Sequence, residues 1–128
     1  YLDRYSSGTK FSTRAANAAA VVADESPEHL TAFFEAMFAN QPAENTEGLS
    51  DVEIAGIAVG VGVPQAVAET FKDGEFTDWV VAASQQASMD GVGGTPSVMV
   101  NRTLLDPKQV PYMQEGGLEQ YLDSLAGN

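Results

Sequence analysis

Apolar positions along the chain switch between helical and extended spacing, and they divide it into a long helical stretch and a short strand-bearing end. Ser12 and Thr13 precede an alanine-rich run, Arg14 to Asp24. Alanine has the best intrinsic helix propensity and Val21 and Val22 add apolar bulk, so a helix is predicted there. Ser26-Pro27-Glu28 then sets a capping hydroxyl before a proline at the first helical position and a carboxylate in the first turn. Leu30, Phe33, Phe34, Met37 and Phe38 follow with the i, i+3, i+4, i+7, i+8 spacing of one buried helical face.

Asn40 to Gly48 lacks periodicity and reads as a loop. Ser50-Asp51-Val52-Glu53 is a capping-box pattern, in which serine and glutamate satisfy each other's orphan amides. Ile54, Ile57 and Ala58 continue that helix until Gly60 and Gly62 end it. Pro64 opens a short helix through Val67 and Phe71 with Gly74 as its stop. Phe76, Trp79, Val80, Ala83 and Ala87 then repeat the helical spacing up to Asp90-Gly91.

The pattern changes at Gly91-Val92-Gly93-Gly94-Thr95-Pro96, whose glycines and proline exclude regular helix. Ser97-Val98-Met99-Val100 is short, apolar and β-branched, as a buried strand is. Asn101-Arg102 can turn the chain and Thr103-Leu104-Leu105 can return as the hairpin partner, although glycine is the better second turn residue. Gly117 precedes Leu118, Tyr121, Leu122 and Leu125, a last amphipathic helix. A hairpin built from a near-continuous apolar run is marginal alone and wants neighbouring strands. The expected sheet is therefore incomplete, its other strands coming from residues before Tyr1 or from another chain.

A length of 128 residues suits one domain and one core. Hydrophobic residues at 44% against 19% charged exclude wholesale disorder. The 6 basic and 18 acidic residues give a net charge of -12, with the basic groups scattered singly at Arg4, Lys10, Arg14, Lys72, Arg102 and Lys108. No basic stripe exists to neutralise phosphates, and anionic headgroups would repel the same field, so neither nucleic acid nor a membrane surface is expected as a partner. No apolar run approaches the ~20 residues needed to span a bilayer. The chain opens with Tyr1 rather than Met, so a processed or excised piece of a longer protein is expected.

With no cysteine and a single histidine, His29, the chain offers no disulfide, no thiolate nucleophile, and no thiolate or histidine-based metal site. No cofactor, metal ligand or catalytic residue is expected within it. His29 reads as solvated in the first turn of its helix. Trp79 and the cluster of Phe33, Phe34 and Phe38 read as core, the sharper alternative being that part of this surface grips a peptide. Asp3, Asp24, Glu25 and Asp106 read as solvated surface, since no carboxylate pair stands out for acid-base work. Gly91 to Gly94 is not a phosphate loop: no Lys-Ser or Lys-Thr follows, and a strand rather than a helix comes next.

Gly94-Thr95-Pro96 entering an apolar strand, then Val100-Asn101, a second short strand and a terminal helix, resembles the C-terminal half of the DsbA-like thioredoxin-fold oxidoreductases. The opening Tyr1-Leu2-Asp3-Arg4-Tyr5-Ser6-Ser7 and Ser12-Thr13-Arg14-Ala15-Ala16-Asn17-Ala18 resemble the segment after the second strand of that family, especially in actinobacterial members. The resemblance implies an incomplete α/β thioredoxin-like fold forming one domain over 1–128. Within it, 10–90 would be a helical insertion and 91–128 a β-hairpin plus helix. A strand-helix unit bearing Cys-x-x-Cys would come before Tyr1.

Taken locally, Thr95-Pro96 is an ordinary trans proline starting a strand. By resemblance it is a cis-proline loop in which Thr95 and Pro96 bind substrate, an extended cysteine-containing client peptide added as a strand. The resemblance further implies an extracytoplasmic thiol-disulfide exchange protein, redox-inert without its cysteines. A homodimer or strand exchange is expected from the open sheet edge. A non-catalytic peptide-binding module and an isomerase or glutathione-transferase relative on the same fold stand as alternatives. Two departures from the family pattern are the absence of insertion cysteines and Arg102 at the position where glycine usually closes the hairpin.

Overall fold

A computed structural model describes residues 3–127; Tyr1 and Leu2, the start of the opening segment, lie outside the described residues. The chain divides into two compact units, 1–84 and 85–128. Among the described residues there are six α-helices and one two-stranded antiparallel sheet. No helix among them is long and apolar enough to cross a membrane.

The first unit is built around α1 (Phe11–Glu25), which packs against α2 (Leu30–Ala39), α3 (Asp51–Gly60), α4 (Gln65–Ala68) and the 3₁₀ turn Phe71–Asp73. Its apolar face supplies Ala18, Val21 and Val22 to the core, opposite Phe33, Ile54, Ala58 and Phe71. The Phe33 and Phe71 rings meet at 6.1 Å between centroids, tilted by 47°, within the usual range for an aromatic pair.

Neither Ser12 nor Thr13 caps α1. The helix begins earlier, its N-cap Lys10 adopts a left-handed conformation, and the cap comes from a distance. The Asp3 carboxylate accepts from the Thr13 N–H at 3.0 Å and from its hydroxyl at 2.7 Å. Asp3 is thus an engaged capping group rather than solvated surface, placed where a negative charge meets the positive end of the helix dipole.

Arg14 is likewise no free surface cation. Its guanidinium donates to Asp51 Oδ1 at 2.7 Å, the Leu49 carbonyl at 2.8 Å and the Thr9 carbonyl at 3.0 Å, tying α1 to the start of α3. The loop before α3 is held by the Ser7 hydroxyl on the Asn45 carbonyl and by Thr9 Oγ1 on the Glu47 carbonyl.

Ser26 is buried, but it does not cap a helix as expected. A 3₁₀ turn, Pro27–His29, intervenes before α2, and the Ser26 hydroxyl pairs with His29 Nδ1 at 2.8 Å. His29 is therefore anchored, and its ring lies against Gly62, whose φ of +104° ends α3 beyond Gly60. An added Cβ there would fall 2.8 Å from His29 Nε2, so glycine permits the approach.

The apolar face of α2 is narrower than its sequence spacing suggests. Phe33 is fully buried and Leu30 and Met37 pack beside it, whereas Phe34 and Phe38 are 45% and 72% exposed. Trp79 of α5 (Thr77–Met89) is 63% exposed, and Val80 is the buried residue of that helix. In α3 the expected pattern appears. Ser50 accepts from the Glu53 N–H at 3.3 Å while the Glu53 carboxylate accepts from the Ser50 N–H at 2.7 Å. These bonds hold the Glu53 carboxyl below its ordinary range, the backbone bond from Ser50 contributing most and the Ser50 hydroxyl next.

The second unit begins within α5 and holds β1 (Met99–Val100), β2 (Thr103–Leu104) and α6 (Gly117–Ala126). The strands pair in the register Met99 with Leu104 and Val100 with Thr103. Asn101 and Arg102 take φ of 49° and 64°, the two positive values of a type I′ hairpin turn, so arginine occupies a conformation that glycine prefers. Val98 and Val100 are half-buried and Met99 is 43% exposed. The expected buried strand therefore has one open face, and Leu105 is the buried hydrophobic residue of this unit.

Candidate functional site

The loop carrying Thr95 and Pro96 is launched by the end of α5. Gly91, at φ +91°, donates its N–H to the Ser88 carbonyl at 3.1 Å, and Val92 donates to the Ala87 carbonyl at 3.0 Å. This is the paired bonding of a Schellman stop, with glycine at the left-handed position and half-buried Val92 and Ala87 as the apolar residues that accompany it. The chain leaves the helix sharply and enters an exposed stretch, Gly93 to Ser97.

Within that stretch the Thr95–Pro96 peptide bond is cis. The Ser97 hydroxyl donates back to the Gly94 carbonyl at 2.6 Å and closes a local turn. The Tyr112 hydroxyl donates to the Pro96 carbonyl at 3.4 Å, a long bond reaching back from the segment before α6. Beyond the loop, Leu105 donates its N–H to the Val98 carbonyl at 2.9 Å, extending the hairpin toward Ser97.

Thr95 itself is exposed, and neither its N–H nor its carbonyl has a partner among the described residues. An unpaired backbone donor and acceptor at the entrance to a strand can receive an extended peptide by strand addition. No charged side chain lies between Gly91 and Val100. The loop offers shape and backbone bonding rather than acid-base chemistry.

Both expected site residues thus sit together on one exposed loop. Tyr112 and Ser97, which fasten it, were not anticipated: Tyr112 follows Pro111 in a segment without periodicity, and a serine at the start of a strand carries no signal of its own. Among the described residues no group of acidic or histidine side chains could hold a metal ion. A separate shallow depression in the first unit is lined by Tyr5, Phe11, Pro42, Glu44 and Thr46, among others. With Glu44 as the one carboxylate on that lining, it offers no pair of groups for catalysis.

A family model described as Thioredoxin matches residues 2–115. The match takes in the helical unit, the Thr95–Pro96 loop and the hairpin together, and the chain belongs to the thioredoxin family. Its helix-rich body with one small antiparallel sheet is consistent with an incomplete form of that fold. No curated protein and no solved structure matches the chain.

Proposed function

We propose that the chain is the cysteine-free part of a DsbA-type thiol-disulfide exchange protein, to which it contributes the helical insertion and the loop of Thr95 and Pro96 that receives substrate. The observation that carries this reading is the unpaired, exposed backbone of Thr95 at the entrance to β1. Membership of the thioredoxin family supports it at a coarser level, as a redox or thiol-related function.

In this reading a Cys-x-x-Cys unit acting with the chain provides the thiolate. It attacks one sulfur of a disulfide, a mixed disulfide forms, and the other sulfur leaves as a thiolate. Clients are extended cysteine-containing peptides, no cofactor is needed, and the working compartment is extracytoplasmic, where disulfides persist. Alone, the chain does not reduce insulin or oxidise peptides, because it has no cysteine. The outer edges of its two-stranded sheet are templates for a second copy, and a clean monomer by light scattering at high concentration would remove that partner.

The lack of any cysteine in 128 residues favours one second reading, a non-catalytic module that uses the same loop to hold peptides. Both readings require strand pairing, which fluorescence anisotropy with a labelled extended peptide can test. The unmodified peptide should bind, and a copy N-methylated at alternate residues, deprived of its backbone donors, should bind at least tenfold more weakly. Equal binding of the two peptides would exclude strand addition.

A further inference from the structure

The thioethers are the only sulfur in this chain: it has four methionines and no cysteine. Their exposure is uneven. Met89 at the end of α5 is 74% exposed, Met113 in the segment before α6 is 65% exposed and Met99 in β1 is 43% exposed. Met37, in contrast, packs against the core beside Phe33. The three exposed methionines all belong to the unit 85–128, and the protected one belongs to 1–84.

A thioether needs no deprotonation to react with a peroxide. Its reactivity therefore follows access to the sulfur, without the pKa control that governs cysteine.

We propose that Met89, Met99 and Met113 are reversible peroxide-modification sites of the unit 85–128. In the forward step the sulfur lone pair attacks the distal oxygen of hydrogen peroxide. The O–O bond breaks, one oxygen remains on sulfur as the sulfoxide, and the other leaves as water. Sulfur is oxidised by two electrons and peroxide is reduced by two. In the return step the dithiol of a methionine sulfoxide reductase takes the oxygen as water and becomes a disulfide, and the two sulfoxide epimers require the two reductase types.

Because Met89 and Met113 lie outside the core, their conversion to a polar sulfoxide leaves the packed interior intact. Oxidation at Met37 would instead place a polar sulfoxide among Phe33 and its neighbours.

The test treats the full chain with hydrogen peroxide at neutral pH and follows each methionine by peptide mapping and mass spectrometry, folded and in denaturant. In the folded chain Met89 and Met113 should oxidise about fivefold or more faster than Met37, with Met99 between them, and denaturant should bring all four together. A limited oxidation that modifies Met89 and Met113 should leave the far-ultraviolet circular dichroism unchanged, and the two reductase types together should restore the original mass. Equal rates for Met37 and Met89 in the folded chain would overturn the proposal. So would loss of helical signal at the first oxidation, or sulfoxides that the reductases cannot reach.

Discussion

The side-chain amide of Asn17 donates to the carbonyl of Phe71 at 2.9 Å, from a position on α1 that is 1% exposed. The other end of the same amide accepts the Phe76 N–H at 2.8 Å, so a single buried polar group fastens the segment between α4 and α5 to the central helix. The interior tolerates it because both of its ends are satisfied.

Replacing Asn17 by alanine strands the partly buried Phe76 N–H and leaves the Phe71 carbonyl with only the Gly74 N–H, at 3.3 Å. Urea unfolding of Asn17→Ala should show a loss of roughly 1–3 kcal/mol. Asn17→Asp keeps the acceptor for Phe76 but turns a carboxylate oxygen toward the Phe71 carbonyl, and it should be no better. A change in either variant indistinguishable from zero would show that the pairing is not structural.

Two glycines should respond in opposite ways. Gly56 lies on the exposed side of α3, and a Cβ there would meet nothing within 4 Å. Gly56→Ala should therefore stabilise the chain by about 1 kcal/mol through helix propensity alone. At Gly117 a Cβ would fall 2.1 Å from the Pro111 carbonyl oxygen. Gly117→Ala should cost roughly 1–3 kcal/mol by overpacking. Thermal denaturation of the two variants beside the parent checks both signs.

The capping box of α3 carries a pH dependence. The folded-state pKa of Glu53 is lowered by its bonds from Ser50, so the contribution is present in full above the ordinary carboxylate range and fades as pH falls through the depressed value. Ser50→Ala removes the hydroxyl, the second of these partners, and leaves the backbone N–H in place. The stability difference between parent and variant, measured by urea unfolding, should be largest near neutral pH and shrink in acid. A difference that grows on acidification would contradict the assignment.

The capping box was legible because its signal is local: serine and glutamate three residues apart satisfy each other without help from the rest of the fold. The break at Gly91 was legible for the same reason. What the sequence could not convey is how widely each helix is covered. On α2 the buried stripe runs along Leu30, Phe33 and Met37 and leaves Phe34 and Phe38 on its shoulder, because the core lines up on Phe33 and a spacing rule cannot say on which side of a broad apolar arc a neighbour will dock. Trp79 failed as a core residue in the same way.

Asp3 was misread because its partner, Thr13, is ten residues on and the pairing requires the 3₁₀ turn between them. At the candidate site, Thr95 and Pro96 stood out through glycine and proline chemistry. Tyr112 did not, since a hydroxyl reaching back sixteen residues leaves no trace in local spacing.

The central claim is that the loop at Thr95 and Pro96 receives an extended peptide, and the most direct measurement is a titration of the isotopically labelled chain followed by amide chemical shifts. With an extended cysteine-containing peptide, the largest changes should fall on Gly93, Gly94, Thr95, Ser97 and Val98, with Thr95 becoming protected from hydrogen exchange as its N–H gains a partner. Shifts confined to the helical unit, or an unprotected Thr95 at saturation, would contradict the account.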